Sequence, residues 1–170
     1  MKVRDVMTQP AFTCTPETPL DEASRLMEQA GCGTLAVVDD GKRLTGILTD
    51  RDLALAIGKM MVHPSRMAVR EAMTQPVFTC RSNEPLSAAM ERMADARVRR
   101  LPVVDDEGRV LGVLSIDDIV LWAAPAGDLK RKTLLKALRA ICAAHHPMFD
   151  PETSAEDAAF APADWMTERD

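Results

Sequence analysis

The sequence predicts an α/β chain of the α+β kind: two β-α-β-β-α units packed with pseudo-twofold symmetry, plus a C-terminal helix. Three observations carry this. The chain matches itself without a gap at a shift of 66 positions, from Val3 to Leu55. In each copy a helical apolar pattern is followed by two short continuous apolar runs, the signature of one helix and two buried strands. A glycine, two apolar residues, a hydroxyl residue and, three positions on, an aspartate also recur in each copy, as Gly46-Ile47-Leu48-Thr49-Asp50-Arg51-Asp52 and Gly112-Val113-Leu114-Ser115-Ile116-Asp117-Asp118.

The elements follow in order. Val3-Arg4-Asp5-Val6-Met7-Thr8-Gln9-Pro10 lies over Val69-Arg70-Glu71-Ala72-Met73-Thr74-Gln75-Pro76 as an opening segment. Ala11 to Cys14 and Val77 to Cys80 read as short extended pieces. Thr15-Pro16 and Arg81-Ser82-Asn83 are turn signals. A helix then begins near Pro19 or Pro85, where the missing proline N–H costs nothing. Its apolar face is Leu20, Ala23, Met27 and Ala30 in the first copy, and Leu86, Ala89, Met93 and Ala96 in the second. Leu35 to Val38 and Leu101 to Val104 are apolar runs expected of buried strands. Asp39-Asp40-Gly41 and Asp105-Asp106-Glu107-Gly108 turn the chain. Leu44 to Leu48 and Val110 to Leu114 return, and a second helix starts at Thr49 or Ser115. One such unit is too small to cover both faces of its sheet, so two must pack together. The expected divisions are residues 1–61 for the first repeat, 62–68 for a linker and 69–124 for the second repeat. A helix over 127–146 and an acidic, mobile tail over 147–170 complete the chain.

Composition narrows the function. The chain has 170 residues, 46% hydrophobic and 28% charged, with a net charge of −5. That acidity argues against duplex nucleic acid as a partner. Tyrosine is absent and aromatics are 4%, which argues against base-stacking platforms. No apolar run approaches the roughly 18 residues of a membrane span. Met1 to Asp5 is polar and leads into repeat sequence, so no signal peptide is expected and the cytoplasm is the expected location. The four cysteines, Cys14, Cys32, Cys80 and Cys142, form no C-x-x-C pair, which argues against a zinc site or a disulfide scaffold.

The repeated motif admits two readings. Thr49 with Asp52, and Ser115 with Asp118, match a capping box, in which the acid reaches back to the hydroxyl residue's N–H. The same geometry also suits a ligand. A helix start offers free N–H groups and a positive dipole end to a phosphate, and the hydroxyl adds a donor. A carboxylate one turn on accepts hydrogen bonds from both ribose hydroxyls. Gly46 and Gly112 leave room for close backbone approach.

With Val3-x-x-x-Met7-Thr8, Pro102-Val103-Val104-Asp105 and both motifs intact, the sequence resembles a tandem pair of cystathionine-β-synthase (CBS) domains in the short stand-alone bacterial form. The resemblance covers about residues 2 to 122. It implies a compact module, dimerised with a second copy, that binds AMP, ADP, ATP, NAD or S-adenosylmethionine in two clefts between the repeats. It assigns Thr49 and Ser115 to phosphate and Asp52 and Asp118 to ribose. It places the extended pieces, with Thr13 and Thr79, near the adenine edge. The supply of guanidinium is uneven. Arg51 stands in the first motif, and Arg97-Val98-Arg99-Arg100 in the second copy replaces Gly31-Cys32-Gly33-Thr34 in the first. Arg51 and Arg100 are the preferred phosphate ligands, with surface solvation the alternative for Arg97 and Arg99. The cleft served by the Ser115 motif is expected to be the better occupied.

In the C-terminal helix, Leu134, Leu138 and Ile141, with Leu135 and Cys142, form an apolar stripe against Lys130, Arg131, Lys132, Lys136 and Arg139. It reads as a helix packed on the module or across a dimer seam. Phe160 and Trp165 are docking candidates in the tail. His145 and His146 do not face one way on a helix, so they read as solvated rather than metal-binding. No Walker-type loop, H-E-x-x-H or nucleophile–His pair is present, so the expected function is regulatory and non-catalytic, with no catalytic cofactor and no metal. The output would pass to another protein target. The competing readings are a ligand-free interaction and dimerisation scaffold, whose motifs only cap helices, and a nucleotide hydrolase relying on Asp and Arg.

Overall fold

The computed structural model describes residues 1–59, 63–123 and 131–143. In each repeat a short strand, a helix, a strand hairpin and a second helix follow one another. The strands are β1 (Thr13–Cys14), β2 (Thr34–Val38) and β3 (Leu44–Thr49), then β4 (Cys80–Arg81), β5 (Arg100–Val104) and β6 (Val110–Ser115). The helices are α1 (Leu20–Ala30), α2 (Asp50–Lys59), α3 (Leu86–Ala96), α4 (Ile116–Asp118) and α5 (Arg131–Ala143), with a π-helical turn over Ile119–Ala123 continuing α4. Each sheet has three strands, in the order β1-β2-β3 or β4-β5-β6. The first strand runs parallel to the second, and the second antiparallel to the third. Both hairpins bulge at the same place, between Val37 and Val38 and between Val103 and Val104. The first strand is shorter than the Ala11 to Cys14 expectation. It follows cis prolines at Pro10 and Pro76. The Ala36 N–H still reaches the Phe12 carbonyl at 3.0 Å.

The helices bury the faces their spacing foretells except at the last turn, where Ala30 and Ala96 are only half-buried. Leu20, Ala23 and Met27 are buried on α1, and Leu86, Ala89, Met90 and Met93 on α3. Pro19 and Pro85 sit one position earlier than expected, as the extended N-caps. Both helices end in a left-handed residue, Gly31 (φ 60°) and Arg97 (φ 55°). Glycine takes this conformation freely, whereas a side chain there costs about 1–2 kcal/mol. A Cβ at Gly31 would meet no atom within 4 Å, so Gly31→Ala isolates the backbone cost and should destabilise by about 1 kcal/mol. Arg97→Gly should stabilise by a few tenths to about 1 kcal/mol. Urea unfolding of both variants checks the pair of signs.

The packing of the opening segments differs from a simple side-by-side arrangement, because the repeats exchange them. Val3 and Val6 belong to the core of the second repeat, with Leu86, Met90, Met93, Leu101 and Leu114. Met67 and Val69 belong to the core of the first, with Leu20, Met27, Leu35 and Leu48. Val3 and Val69, equivalent under the 66-residue shift, are both fully buried in the other repeat's core, each stabilising the pair by about 1.5–3 kcal/mol. Backbone bonds fix the exchange: Val3 N–H to Glu84 O at 3.1 Å, and Val69 N–H to Thr18 O at 2.8 Å. The isolated bridges obey the same symmetry. Thr8 pairs with Val113 and Thr74 with Ile47, Lys2 with Pro85 and Ala68 with Pro19, while Arg43 meets its own equivalent, Arg109. These exchanged pairs make the pseudo-twofold axis explicit.

α5 lies against α3. Leu134 and Ile141 join the second repeat's core, with Leu138 packed against it. Leu135 and Cys142, expected on the same stripe, instead face outward, Leu135 at 59% exposure. Helical spacing separates them from the Leu134–Ile141 line, and one neighbouring helix covers only that line. His145, His146, Phe160, Trp165 and the tail lie outside the described residues. Among the described residues no helix is long and apolar enough to cross a membrane.

Candidate functional site

The strand-to-helix junctions β3–α2 and β6–α4 each present a hydroxyl and a carboxylate. The capping geometry is realised in both. The Thr49 N–H and hydroxyl donate to Asp52 Oδ2 at 2.9 and 2.7 Å, and the Asp52 N–H returns to Thr49 Oγ1 at 3.2 Å. The Ser115 N–H and hydroxyl donate to Asp118 Oδ2 at 2.8 and 2.7 Å, and the Asp118 N–H returns to Ser115 Oγ at 3.1 Å. Asp118 is 9% exposed, and its second oxygen accepts from the Thr8 hydroxyl at 2.9 Å. Asp52 is half-buried, and its Oδ1 accepts no bond from a described residue. The capping box therefore occupies one carboxylate oxygen in each motif.

A cleft opens beside each motif. One, of about 290 Å³, lies against Ser115 and Asp118 and is completed by the first repeat through Thr8, Phe12 and Gly31 to Thr34. The other, of about 420 Å³, lies against Thr49 and Asp52 and is completed by the second repeat through Thr74 and Val98 to Arg100. Each cleft thus joins a motif from one repeat to the Met-Thr threonine and the strand start of the other, and the Ser115 cleft also takes in Pro10 to Phe12. The glycines make this crossing possible. A Cβ on Gly112 would fall 2.6 Å from the Thr8 carbonyl oxygen, and one on Gly46 would fall 2.6 Å from Met73 Sδ. Thr8 and Val113 exchange two backbone hydrogen bonds of 3.0 Å there, as do Thr74 and Ile47 at 3.2 and 2.8 Å.

Of the residues singled out in the sequence, Thr49, Arg51, Asp52 and Arg100 are brought together in one cleft. Ser115, Asp118 and Arg100 are brought together in the other. Arg100, opening β5 opposite Ser115, lines both. Gly46 and Gly112 line neither; the approach they permit is that of the partner repeat. Thr13, on β1, and Thr79, beside β4, also lie outside both linings, and the Thr79 carbonyl is held by Arg92 Nη1 at 2.9 Å. The sequence reading did not name Thr8 and Thr74 as cleft residues, and the expected extended piece enters the Ser115 cleft through Ala11 and Phe12 rather than Thr13. Thr8 and Thr74 carried a usable signal, a hydroxyl conserved between the two copies beside Met7 and Met73.

The linings also hold Cys32, but Cys14 and Cys80 lie in the cores, where burial pushes their thiols up to about 11 and about 12. Neither supplies a thiolate at neutral pH. Among the described residues no group of His, Cys, Asp and Glu is arranged to hold a metal ion.

The comparisons with known proteins agree with this geometry. Residues 3–59 and 69–124 each match the family model for the CBS domain. The CBS domain-containing protein YhcV of Bacillus subtilis is 34% identical over 119 residues, covering 70% of this chain and 83% of that protein. The chain spans less of other relatives. A Methanopyrus kandleri protein is 30% identical over 71% of this chain and 61% of its own length, and the inosine-5'-monophosphate dehydrogenase of Methanocaldococcus jannaschii is 31% identical over 80% of this chain and 27% of its own. Among solved structures, the CBS domain pair of protein MJ0100, in complex with 5'-methylthioadenosine and S-adenosyl-L-methionine, superposes with a TM-score of 0.67 at 27% identity, over 74% of this chain and 98% of that one. CBSX2 in complex with AMP superposes with a TM-score of 0.63 at 29% identity, over 74% and 97%. Two family matches, two exchanged repeats and two cleft-forming motifs place the chain in the CBS-domain family, as a tandem CBS pair.

Proposed function

We propose that this chain is a regulatory, non-catalytic sensor of adenine nucleotides, AMP, ADP or ATP, bound in the clefts between its two CBS repeats. The observation that carries the reading is the crossed cleft itself. Beside Thr49 a hydroxyl, a carboxylate and guanidinium groups from both repeats converge on one opening, so a ligand there bridges the repeats. Thr49 and Ser115 would donate to phosphate by turning their hydroxyls away from the Asp carboxylates that now accept them, and Asp52 and Asp118 would accept from ribose hydroxyls. Related CBS pairs hold adenosine ligands, which supports this ligand class; NAD has no such support, and the proposal is for the mononucleotides. A ligand that ties the repeats together biases their relative position, and that is the signal a partner protein would read.

A homodimer fits the same reading. Leu55 and Ile57 on α2, and Val120, Leu121 and Trp122 after α4, are apolar and exposed, the last two at 65%. An apolar surface on the second helix of both repeats supports a seam with another copy.

Calorimetric titration with AMP and ATP tests the sensor reading. Saturable heat is expected, together with a raised melting temperature. A ligand at a hundred times its Kd should add about 2.7 kcal/mol to stability. Absence of both heat and melting shift would leave the scaffold reading standing.

A further inference from the structure

Resting on the nucleotide-sensing reading, we propose that the two clefts select ligands of different charge. The Thr49 cleft prefers a phosphorylated adenine nucleotide to its nucleoside, and the Ser115 cleft prefers an uncharged adenosine derivative to its phosphorylated form. The crossed construction creates the difference. The Thr49 cleft is lined by three guanidiniums, Arg51, Arg99 and Arg100, against two carboxylates, Asp50 and Asp52. The Ser115 cleft has one guanidinium, Arg100, against Asp117 and Asp118. The repeats differ at the deciding positions. At the 66-residue shift Arg51 stands over Asp117, a reversal of charge, and Arg99 and Arg100 stand over Gly33 and Thr34.

The guanidiniums of the Thr49 cleft are available for a ligand. Among the described residues, Arg51, Arg99 and Arg100 meet no carboxylate, whereas Arg25, Arg70 and Arg92 each pair with one and Arg109 with two, at 2.7–3.5 Å. Guanidiniums hold phosphate oxygens by paired, charge-assisted hydrogen bonds. A phosphate entering the Ser115 cleft meets the reverse field. Asp118 is nearly buried there, where like charges repel more strongly than in water. A nucleoside carries no such charge and needs only ribose and base contacts. The larger volume beside Thr49 also matches the larger ligand. Arg100, shared by both clefts, serves one phosphate at a time. A nucleotide that captures it in the Thr49 cleft leaves Asp117 and Asp118 without a lining cation and sharpens the preference of the other site. This reverses the expectation that the Ser115 cleft is the better occupied by nucleotide. Arg99, for which surface solvation was the alternative, lines the Thr49 cleft and not the Ser115 cleft.

Amide spectra of the full ¹⁵N-labelled chain, titrated separately with ATP and adenosine, test the proposal cleft by cleft. ATP should shift Thr49, Asp52 and Thr74 at lower concentration than adenosine does. Adenosine should shift Ser115, Asp118 and Thr8 at lower concentration than ATP does. Arg51→Ala should weaken ATP in the Thr49 cleft about tenfold or more and leave adenosine in the Ser115 cleft unchanged. Arg51 is exposed, so the fold survives the change. Asp117→Arg copies the first motif into the second and should make the Ser115 cleft take up ATP. If the Ser115 cleft prefers ATP as strongly as the Thr49 cleft does, or if Asp117→Arg leaves that preference unmoved, the charge selection is wrong and the sensor reading stands. If neither ligand shifts any cleft amide, both fall together.

Discussion

Gly112→Ala should destabilise the chain by about 2–3 kcal/mol and weaken ligand binding beside Ser115. The added methyl group would sit 2.6 Å from the Thr8 carbonyl oxygen, with Met7 Sδ and Gln9 Cβ at 3.3 and 3.4 Å. A backbone oxygen held by two 3.0 Å ladder bonds to Val113 cannot step aside cheaply. Overpacking of a close-packed seam costs about 1–3 kcal/mol, and retreat of the Thr8 segment also threatens its bond to Asp118. Gly46→Ala is the internal control. Its new methyl would meet Met73 Sδ, at the flexible part of a side chain, which can swing away at a cost of about 1 kcal/mol. Urea denaturation of both variants reads the difference. Equal losses would mean that the exchanged segments are not held as tightly as the backbone bonds require.

Asp118→Ala and Asp52→Asn separate stability from ligand recognition. Asp118 accepts from the Ser115 N–H, the Ser115 hydroxyl and the Thr8 hydroxyl. Removing it strands donors in a nearly buried place and should cost about 1–3 kcal/mol. It should also abolish ligand binding in the Ser115 cleft. Asp52 is more exposed and spends one oxygen on its cap. Asparagine retains an oxygen acceptor for the cap, so Asp52→Asn should cost less than about 1 kcal/mol in stability. It loses the charged acceptor for ribose, so nucleotide affinity in the Thr49 cleft should fall about tenfold or more. Thermal melts and calorimetric titration of each variant measure the two effects apart. A scaffold whose motifs only cap helices would lose stability in Asp118→Ala and have no ligand response to lose in either.

Much of the fold was legible because its information is local. The helical faces beginning at Leu20 and Leu86 and the apolar strands at Leu35 and Leu101 declare themselves within one repeat, and the 66-residue self-match confirms each twice. The motif pairs Thr49–Asp52 and Ser115–Asp118 were legible for the same reason, since a hydroxyl and an acid one turn apart at a helix start have a fixed geometry. The exchange of opening segments was not. Val3 and Val69 look alike, and burial in their own repeat or in the other satisfies the same apolar pattern. Only the full packing decides, through bonds such as Val69 to Thr18. Because the exchange was hidden, so was the crossed ownership of the clefts. Arg99 and Arg100 stand near Ser115 in sequence, yet both line the Thr49 cleft. The outward turn of Leu135 was hidden too, because an amphipathic stripe specifies a direction but not the width of the surface that covers it.

In a crystal structure of the chain grown with saturating ATP, the nucleotide should lie between the repeats in the Thr49 cleft, with its ribose hydroxyls on the Asp52 carboxylate and its phosphates at Thr49, Arg51, Arg99 and Arg100. A structure at saturating ATP with the clefts empty, or with the nucleotide bound away from both motifs, would contradict it.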